Sequence, residues 1–455
     1  MITPQQLVAE KRAAAEAATS KDKLTWKRGL CGVCPAGCWV ELGFKEDKLL
    51  GIRSDETHPL GMICRRGEHA PEIVYSKHRL THPLRRVGAK GSHEFEPISW
   101  DDAYDAIVKN LNRIKTESGP EAVSIYTGRG AFELSLCDMF QPAGVAVSSA
   151  SSVLFPFGSP NTMGAGSHCY VSFAIIAPHV TMGRMLVNMF TDIENAELLV
   201  VWGANPATDS PPLDMRRLEA AARRGADIVV IDPRRTETAS RCDAQWVPIR
   251  PGTDGALALS MIGVMIDEEL YDEEFVENWC HGFDELASYV QHFSPEVAAE
   301  ITGVPADVIR DLARRICGAT GACPVMYSGL EYSNSGVQGI RAVFTLFALA
   351  GQLDVPGGIG LAMRDGHFPI NRSCNQPNAN LDRAIGIDKY PIYTRYRHEP
   401  HASQLLDSIL QQRPYATRGL VIHGSSLLTS WPETSLWREA MAKLDFVVCI
   451  DRQLT

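Results

Sequence analysis

Residues 198–234 read LLVVWGANPATDSPPLDMRRLEAAARRGADIVVIDPR. An apolar run, Leu198 to Trp202, meets a glycine turn at Gly203 and a proline-containing loop. A helix-patterned stretch and a second apolar run follow, ending in Ile231-Asp232. Short continuous apolar runs on either side of a helical pattern make a βαβ unit, whose parallel strands are buried on both faces. Residues 419–452, GLVIHGSSLLTSWPETSLWREAMAKLDFVVCIDR, repeat the plan. Gly203 to Asp232 spans 29 positions and Gly424 to Asp451 spans 27. Two units of one plan predict two related α/β lobes. Ligands of open α/β sheets sit beyond the carboxyl ends of the strands, so the glycine turns and terminal acids mark where a nucleotide would be held. The turn admits a phosphate, and the acid suits a ribose hydroxyl or a guanine edge. Shared α/β physics alone also produces such a repeat.

Outward from these units, the pattern stays α/β. SWDDAYDAIVKNLNRIKTES, from Ser99, has a Ser cap, early acids and apolar residues at helical spacing. AVSIYTGRG then reads as a strand running into a glycine loop. With 455 residues, the chain has room for about three domains. Its 45% apolar and 22% charged residues are ordinary for a globular protein. A net charge of -10 argues against a nucleic-acid partner, which would need a basic footprint. Residues 1–24 read as a polar, helix-prone tail without a secretion signal or twin-arginine pair, so the expected location is cytoplasmic.

From Met139 to Gly183 there is no Asp, Glu, Lys or Arg. A membrane span is the obvious rival, but Pro142, Pro156, Pro160 and Pro178 break any helix of the needed length, so no direct span is expected. A long, uncharged, irregular segment points instead to buried backbone lining a large cofactor pocket.

Four of the twelve cysteines cluster as Cys31-x2-Cys34-x3-Cys38-x25-Cys64. Four thiolates can ligate a cubane iron–sulfur cluster, one per iron. Structural zinc takes the same donors but usually shows two matched CxxC knuckles, and here the second half has one cysteine. Between Cys38 and Cys64, alternation around Lys45-Glu46-Asp47-Lys48 predicts a β-hairpin in a small β-rich domain over 25–85.

The cysteine quartet resembles the N-terminus of the dimethyl-sulfoxide-reductase family of molybdopterin oxidoreductases. So do HPLRRVGAKGSHEFEPISWDDAYDAI (82–107), WGANPA (202–207), IDPRRTETA (231–239), PIRPGTDGAL (248–257) and ALAGQLDVPGGIG (348–360), in the family's order. The resemblance implies a small N-terminal β-rich iron–sulfur domain followed by two pseudo-symmetric doubly wound α/β lobes. One lobe would be discontinuous, 86–155 with 360–455, and the other would span 156–359. It implies a 4Fe-4S cluster on Cys31, Cys34, Cys38 and Cys64, and Mo or W held by two molybdopterin guanine dinucleotides. Gly203, Asn205 and Pro206 match the turn that cradles one dinucleotide. Asp232, Arg234 and Thr236 match the loop for its nucleoside and phosphate, and Gly252, Thr253 and Asp254 a further guanine-binding loop. The repeat suggests Gly424, Ser426 and Asp451 for the second dinucleotide, with Ser426-Leu427 replacing the Asn-Pro pair.

Cys169, in GSHCYVSFAIIAPHV, stands where the family places its protein ligand to the metal; core packing is the other reading of a buried cysteine. Ser167 is a weaker candidate. His168 and His179 are candidates for proton delivery. Arg66 stands where relatives commonly carry a Lys between cluster and pterin, and keeps the charge.

The chain departs from formate dehydrogenases, which usually follow the ligand with His; here Tyr170 follows and His168 precedes. The resemblance also implies a C-terminal domain clamping both pterins. The chain is expected to lack it, as a fragment or as one of two polypeptides that share the cofactor. The expected activity is two-electron redox or oxygen-atom transfer on a small-molecule substrate, with electrons passed through the cluster to an iron–sulfur subunit. A non-redox member similar to acetylene hydratase or a transhydroxylase is the alternative, on YDEEFVENWCHGFDEL (271–286). A non-catalytic electron-transfer subunit is another.

Overall fold

The computed structural model describes residues 24–33, 38–59, 61–128, 154–168, 171–183, 189–208, 212–361, 378–397 and 399–455. Two compact units emerge: Met1–Arg79 with Ser210–Leu213, and Leu80–Asp209 with Asp214–Thr455.

The first unit is built on an antiparallel sheet of β1 (Thr25–Leu30), β2 (Trp39–Lys45) and β3 (Lys48–Ser54). Glu46 and Asp47 turn the β2–β3 hairpin at φ 47° and 63°, the positive values that two-residue hairpin turns require because their twist matches the strands. The hairpin thus falls where the sequence alternation puts it.

In the second unit, β4 (Leu84–Arg86) and β5 (Phe95–Pro97) form a small antiparallel pair. The helix Trp100–Ser118 follows, capped by Ser99, whose Oγ accepts from the Asp102 N–H at 3.0 Å. One parallel sheet then takes strands from distant parts of the chain: β6 (Val123–Thr127), β7 (Thr162–Gly164), β14 (Gly419–His423) and β15 (Phe446–Ile450), in the order β15-β14-β6-β7. A second parallel sheet has the order β11-β10-β9-β12, from β9 (Leu198–Trp202), β10 (Asp227–Ile231), β11 (Gln245–Val247) and β12 (Ala322–Met326). Beside it, β8 (Met189–Thr191) pairs with β13 (Ile359–Leu361).

The central strand β9 is buried along its whole length, as its unbroken apolar run requires. Helices Asp254–Asp267 and Gly336–Leu349 pack over this sheet and fill one large core. Two smaller cores lie on the other sheet.

The lobe boundary expected at 155/156 moves. Thr162–Gly164 pairs in register with Ile125–Thr127, so it stays in the sheet of the discontinuous lobe. The crossing comes after Gly164, because Phe173 and Ala177 already belong to the core of the other sheet. Both sheets lie in one compact unit. Among the described residues, no helix is long and apolar enough to cross a membrane.

Candidate functional site

The cysteine end is organised by a short closed loop. The Cys31 N–H donates to the Cys38 carbonyl at 2.9 Å, and both side chains are buried beside Val40. Cys64 caps the helix Arg65–Glu68, its carbonyl accepting the Glu68 N–H at 3.1 Å. Gly67, three residues on, is the reason this turn fits against Cys31. A Cβ there would lie 3.2 Å from the Cys31 Sγ and 2.8 Å from the Ile63 Cγ1. A larger residue would push the Cys64 turn away. Cys34 lies outside the described residues, and no three metal donors are gathered among those that are described. Two buried thiols with a glycine pressed against one of them, and a third thiol on the same turn, fit the soft donor set of an iron–sulfur cluster. Arg66 is exposed on the turn right after Cys64.

The two repeats match atom for atom at their turns. β9 ends at Trp202, opposite Ile231 of β10; β14 ends at His423, opposite Ile450 of β15. Gly203 follows at φ 59° and its N–H donates to the Ile231 carbonyl at 3.0 Å. Gly424 follows at φ 63° and its N–H donates to the Ile450 carbonyl at 2.9 Å. Asp232 and Asp451 come next on the neighbouring strands, so each glycine and its acid share the carboxyl end of one sheet. Gly203 has a second reason to be glycine. A Cβ there would sit 2.5 Å from the Leu330 Cδ1 and 3.1 Å from the Gly329 Cα.

The flanking side chains build the turns. Asn205 donates to Thr208 and Glu237 at 2.7 and 2.8 Å and accepts from the Thr238 hydroxyl at 2.7 Å. Pro206 is buried beside it. Thr236 caps the helix Glu237–Arg241 through the Ala239 N–H. Arg234 pairs with Glu237, and that pairing holds the Glu237 carboxyl down at about 2. Burial raises the Asp232 carboxyl above its usual range, against the opposing hydrogen bond from the Arg234 N–H. Burial likewise raises Asp254, which accepts from the indole of fully buried Trp202 at 2.8 Å. Gly252, at φ 79°, and Thr253 lead into the helix Asp254–Asp267, which has no side-chain N-cap; the Ala256 N–H turns back to the Thr253 carbonyl at 3.1 Å. On the second copy, Ser426 starts the helix Leu427–Ser430, and the Asp451 carboxylate accepts from the Arg452 N–H. The His423 Nδ1 is buried without a hydrogen-bond partner among the described residues, and burial lowers that imidazole's pKa. Positive-φ glycines, raised acids and an unmatched polar atom at two carboxyl ends fit a pair of nucleotide-bearing ligands.

Cys169 lies outside the described residues, but both of its flanks are held. Upstream, the His168 ring packs edge-on against Trp431 at 3.7 Å between centroids, and its pKa is lowered by partial burial. Ser167 is buried, accepting from the Ala402 N–H at 2.9 Å and lying 3.3 Å from the Tyr393 hydroxyl, which donates to Glu399. His401 stands 6.2 Å from His168, its pKa pushed down to about 4 by burial. Downstream, the Ser172 N–H donates to the Glu331 carboxylate at 3.0 Å. Trp431 packs in the core on the sheet that carries Gly424, and Glu331 lies in the loop after β12. His168 thus contacts the core on one sheet and Ser172 the loop that follows a strand of the other. His179 falls further along, in the helix Ala177–Met182.

Residues 79–455 match the molybdopterin oxidoreductase family, and residues 24–76 match the molybdopterin oxidoreductase Fe4S4 domain. The chain belongs to the molybdopterin oxidoreductases. The two matches bring its cofactors, a 4Fe-4S cluster and a molybdenum or tungsten molybdopterin. It is 31% identical to the thiosulfate reductase molybdopterin-containing subunit PhsA of Salmonella typhimurium, over 95% of this chain and 56% of that protein. It is 30% identical to acetylene hydratase of Syntrophotalea acetylenica, over 94% of this chain and 61% of that one. Dimethyl sulfoxide reductase DmsA of Escherichia coli is also 30% identical, over 77% of this chain and 46% of that one. The solved acetylene hydratase from Pelobacter acetylenicus superposes with a TM-score of 0.81 at 28% identity, covering 94% of this chain and 61% of that chain. The chain thus spans a little over half the length of the first of these relatives.

Sequence reasoning missed Glu331, Tyr332, Trp431, Tyr393 and His401. A signal existed for the first two. Residues 322–336, ACPVMYSGLEYSNSG, run from an apolar strand into a glycine-bearing loop, the plan that singled out Gly203 and Gly424. Trp431 lies in the proline loop of the second repeat, and Tyr393 and His401 in stretches that the motifs do not cover; hydrogen bonds with Tyr126, Glu399 and Ser403 fix the three as well as packing.

Proposed function

We propose that this molybdopterin oxidoreductase carries out two-electron redox or oxygen-atom transfer on a small substrate. When bound, Mo or W between two pterin dinucleotides supplies the redox chemistry. Gly203, Asp232 and the Gly252–Asp254 helix start would hold one dinucleotide, and the Gly424 turn with Asp451 the other. Cys169 would be the protein's ligand to the metal. Cys31, Cys34, Cys38 and Cys64 would hold the cluster, with Arg66 keeping a positive charge beside it, and electrons would leave to an iron–sulfur subunit. The observation that carries this reading is the pair of matched turns in one compact unit, with the flanks of residue 169 held against the core on one sheet and the loop that follows a strand of the other. Partial burial lowers the pKa of His168 and of His401, the latter to about 4, which favours neutral imidazoles near pH 7.

The name of PhsA, a molybdopterin-containing subunit, supports a partnered enzyme. A hydration activity is the second reading, favoured by the similarity to acetylene hydratase. Anaerobic assays with a reduced viologen dye and a panel of sulfoxide, thiosulfate and N-oxide acceptors separate the two. Dye oxidation with an acceptor supports redox catalysis. Conversion of acetylene without dye turnover overturns it in favour of hydration.

A further inference from the structure

We propose that Glu331 is a positioning residue that couples the Gly203 dinucleotide turn to the segment carrying Cys169. The proposal rests on reading Cys169 as the metal ligand.

Glu331 is 8% exposed. A carboxylate that far from water must be matched by donors. Its Oε1 accepts from the Ser172 and Phe173 N–H groups at 3.0 and 3.4 Å, where the helical run 171–182 begins. The two amides belong to the second and third residues of that run, so the carboxylate holds its start. Ser172 is three residues beyond Cys169. Neighbouring groups of the same loop reinforce the hold. The Tyr327 ring meets Phe173 edge-on at 6.5 Å, and the Tyr332 hydroxyl lies 3.5 Å from the His168 carbonyl. The loop Tyr327–Tyr332 therefore touches the chain on both sides of residue 169.

The same loop is locked to the dinucleotide turn. The Gly329 N–H donates to the Gly203 carbonyl at 3.0 Å, and a Cβ on Gly329 would stand 2.5 Å from that oxygen. Backbone this close cannot shift on one side alone. The contacts run without a gap from the Gly203 turn through Gly329 and Leu330 to Glu331, and from there to Ser172 and Phe173. A carboxylate whose only task was to cap a helix would not need to sit on the loop that abuts the nucleotide turn. Here one loop serves both places.

The test uses the anaerobically purified, cofactor-loaded enzyme with Glu331→Ala, Glu331→Asp and Glu331→Gln. Hydrogen exchange is followed over residues 171–183, sulfur neighbours are counted at the Mo or W X-ray absorption edge, and guanine nucleotide is measured after acid release. Glu331→Gln keeps a carbonyl acceptor in place and is expected to retain the sulfur count and to exchange within about threefold of wild type. Glu331→Ala and Glu331→Asp are expected to exchange about tenfold faster at Ser172 and Phe173, as the loss of hydrogen bonds to a charged acceptor implies. They are also expected to show fewer sulfur neighbours with nucleotide content retained. If the alanine variant does not accumulate, the aspartate and glutamine variants decide the matter. Wild-type exchange and a full sulfur count in Glu331→Asp overturn the proposal. Cys169→Ala distinguishes this failure from that of the underlying reading. If Cys169→Ala leaves the sulfur count unchanged, the ligand reading falls and this proposal with it. If Cys169→Ala loses a sulfur and the Glu331 variants do not, the proposal alone falls.

Discussion

Replacing Gly203 with Ala probes the turn proposed to hold a nucleotide at its tightest point. Two costs are expected. The backbone sits at φ 59°, in the left-handed region, where an L residue loses about 1–2 kcal/mol. The new methyl would also fall 2.5 Å from the Leu330 Cδ1 and 3.1 Å from the Gly329 Cα. Leu330 is 2% exposed and Gly329 is backbone, so the strain cannot be relieved by a side chain swinging into water. Overpacking of this kind costs about 1–3 kcal/mol. Gly203→Ala should therefore destabilise the protein by about 2–5 kcal/mol. Gly225→Ala is the internal control: its φ is 95°, yet nothing lies within 4 Å of the added Cβ, so it carries backbone strain alone. Urea unfolding followed by tryptophan fluorescence measures both variants, and Gly203→Ala should have the lower midpoint at an unchanged slope. Equal midpoints for the two variants would refute the packing argument. Retained nucleotide content in Gly203→Ala would refute the turn's role in binding.

Asp254→Asn should stabilise the protein at neutral pH when no cofactor is bound. Burial raises this carboxyl's folded pKa, so its contribution is full below the unfolded value of 3.8 and is lost as pH rises through the folded one. The gain from Asn should shrink as unfolding is measured from pH 7 down toward 4; a gain independent of pH would contradict the assignment. Cys34→Ser should lower iron from about four per chain and bleach the cluster's visible absorbance, whereas wild-type iron content would remove Cys34 from the ligand set.

The parts of the fold that rest on local physics were legible. Glu46-Asp47 stood between alternating runs and became the hairpin turn, and Ser99 preceded early acids and became a helix cap. The strand–glycine–helix–strand–acid plan was strong enough to pair Gly203 with Gly424 before any geometry was known. Pairing between distant segments was not legible. β12 joins β9 in register, Ala322 opposite Leu198, across 124 positions, and no periodicity records which apolar run is chosen. β7 joins β6 for the same reason, which is why the expected boundary at 155/156 fell short. Glu331 was only half legible: its loop follows the strand–glycine plan, but an acid in a loop reads as solvated, and only the fold brings the Ser172 and Phe173 amides to it. The resemblance implies ligand contacts for Asn205 and Thr236; in the fold both also shape the turn, a role that uses the same residue types.

On the function proposed, one chain carries an iron–sulfur cluster and a Mo- or W-pterin site on paired α/β turns. Elemental analysis of the anaerobically purified protein, with guanine nucleotide released and counted from the same sample, tests it most directly. The account predicts about four irons per chain together with molybdenum or tungsten, and two guanine nucleotides for each metal atom. Stoichiometric zinc with no iron, or iron with neither molybdenum nor tungsten, would contradict it.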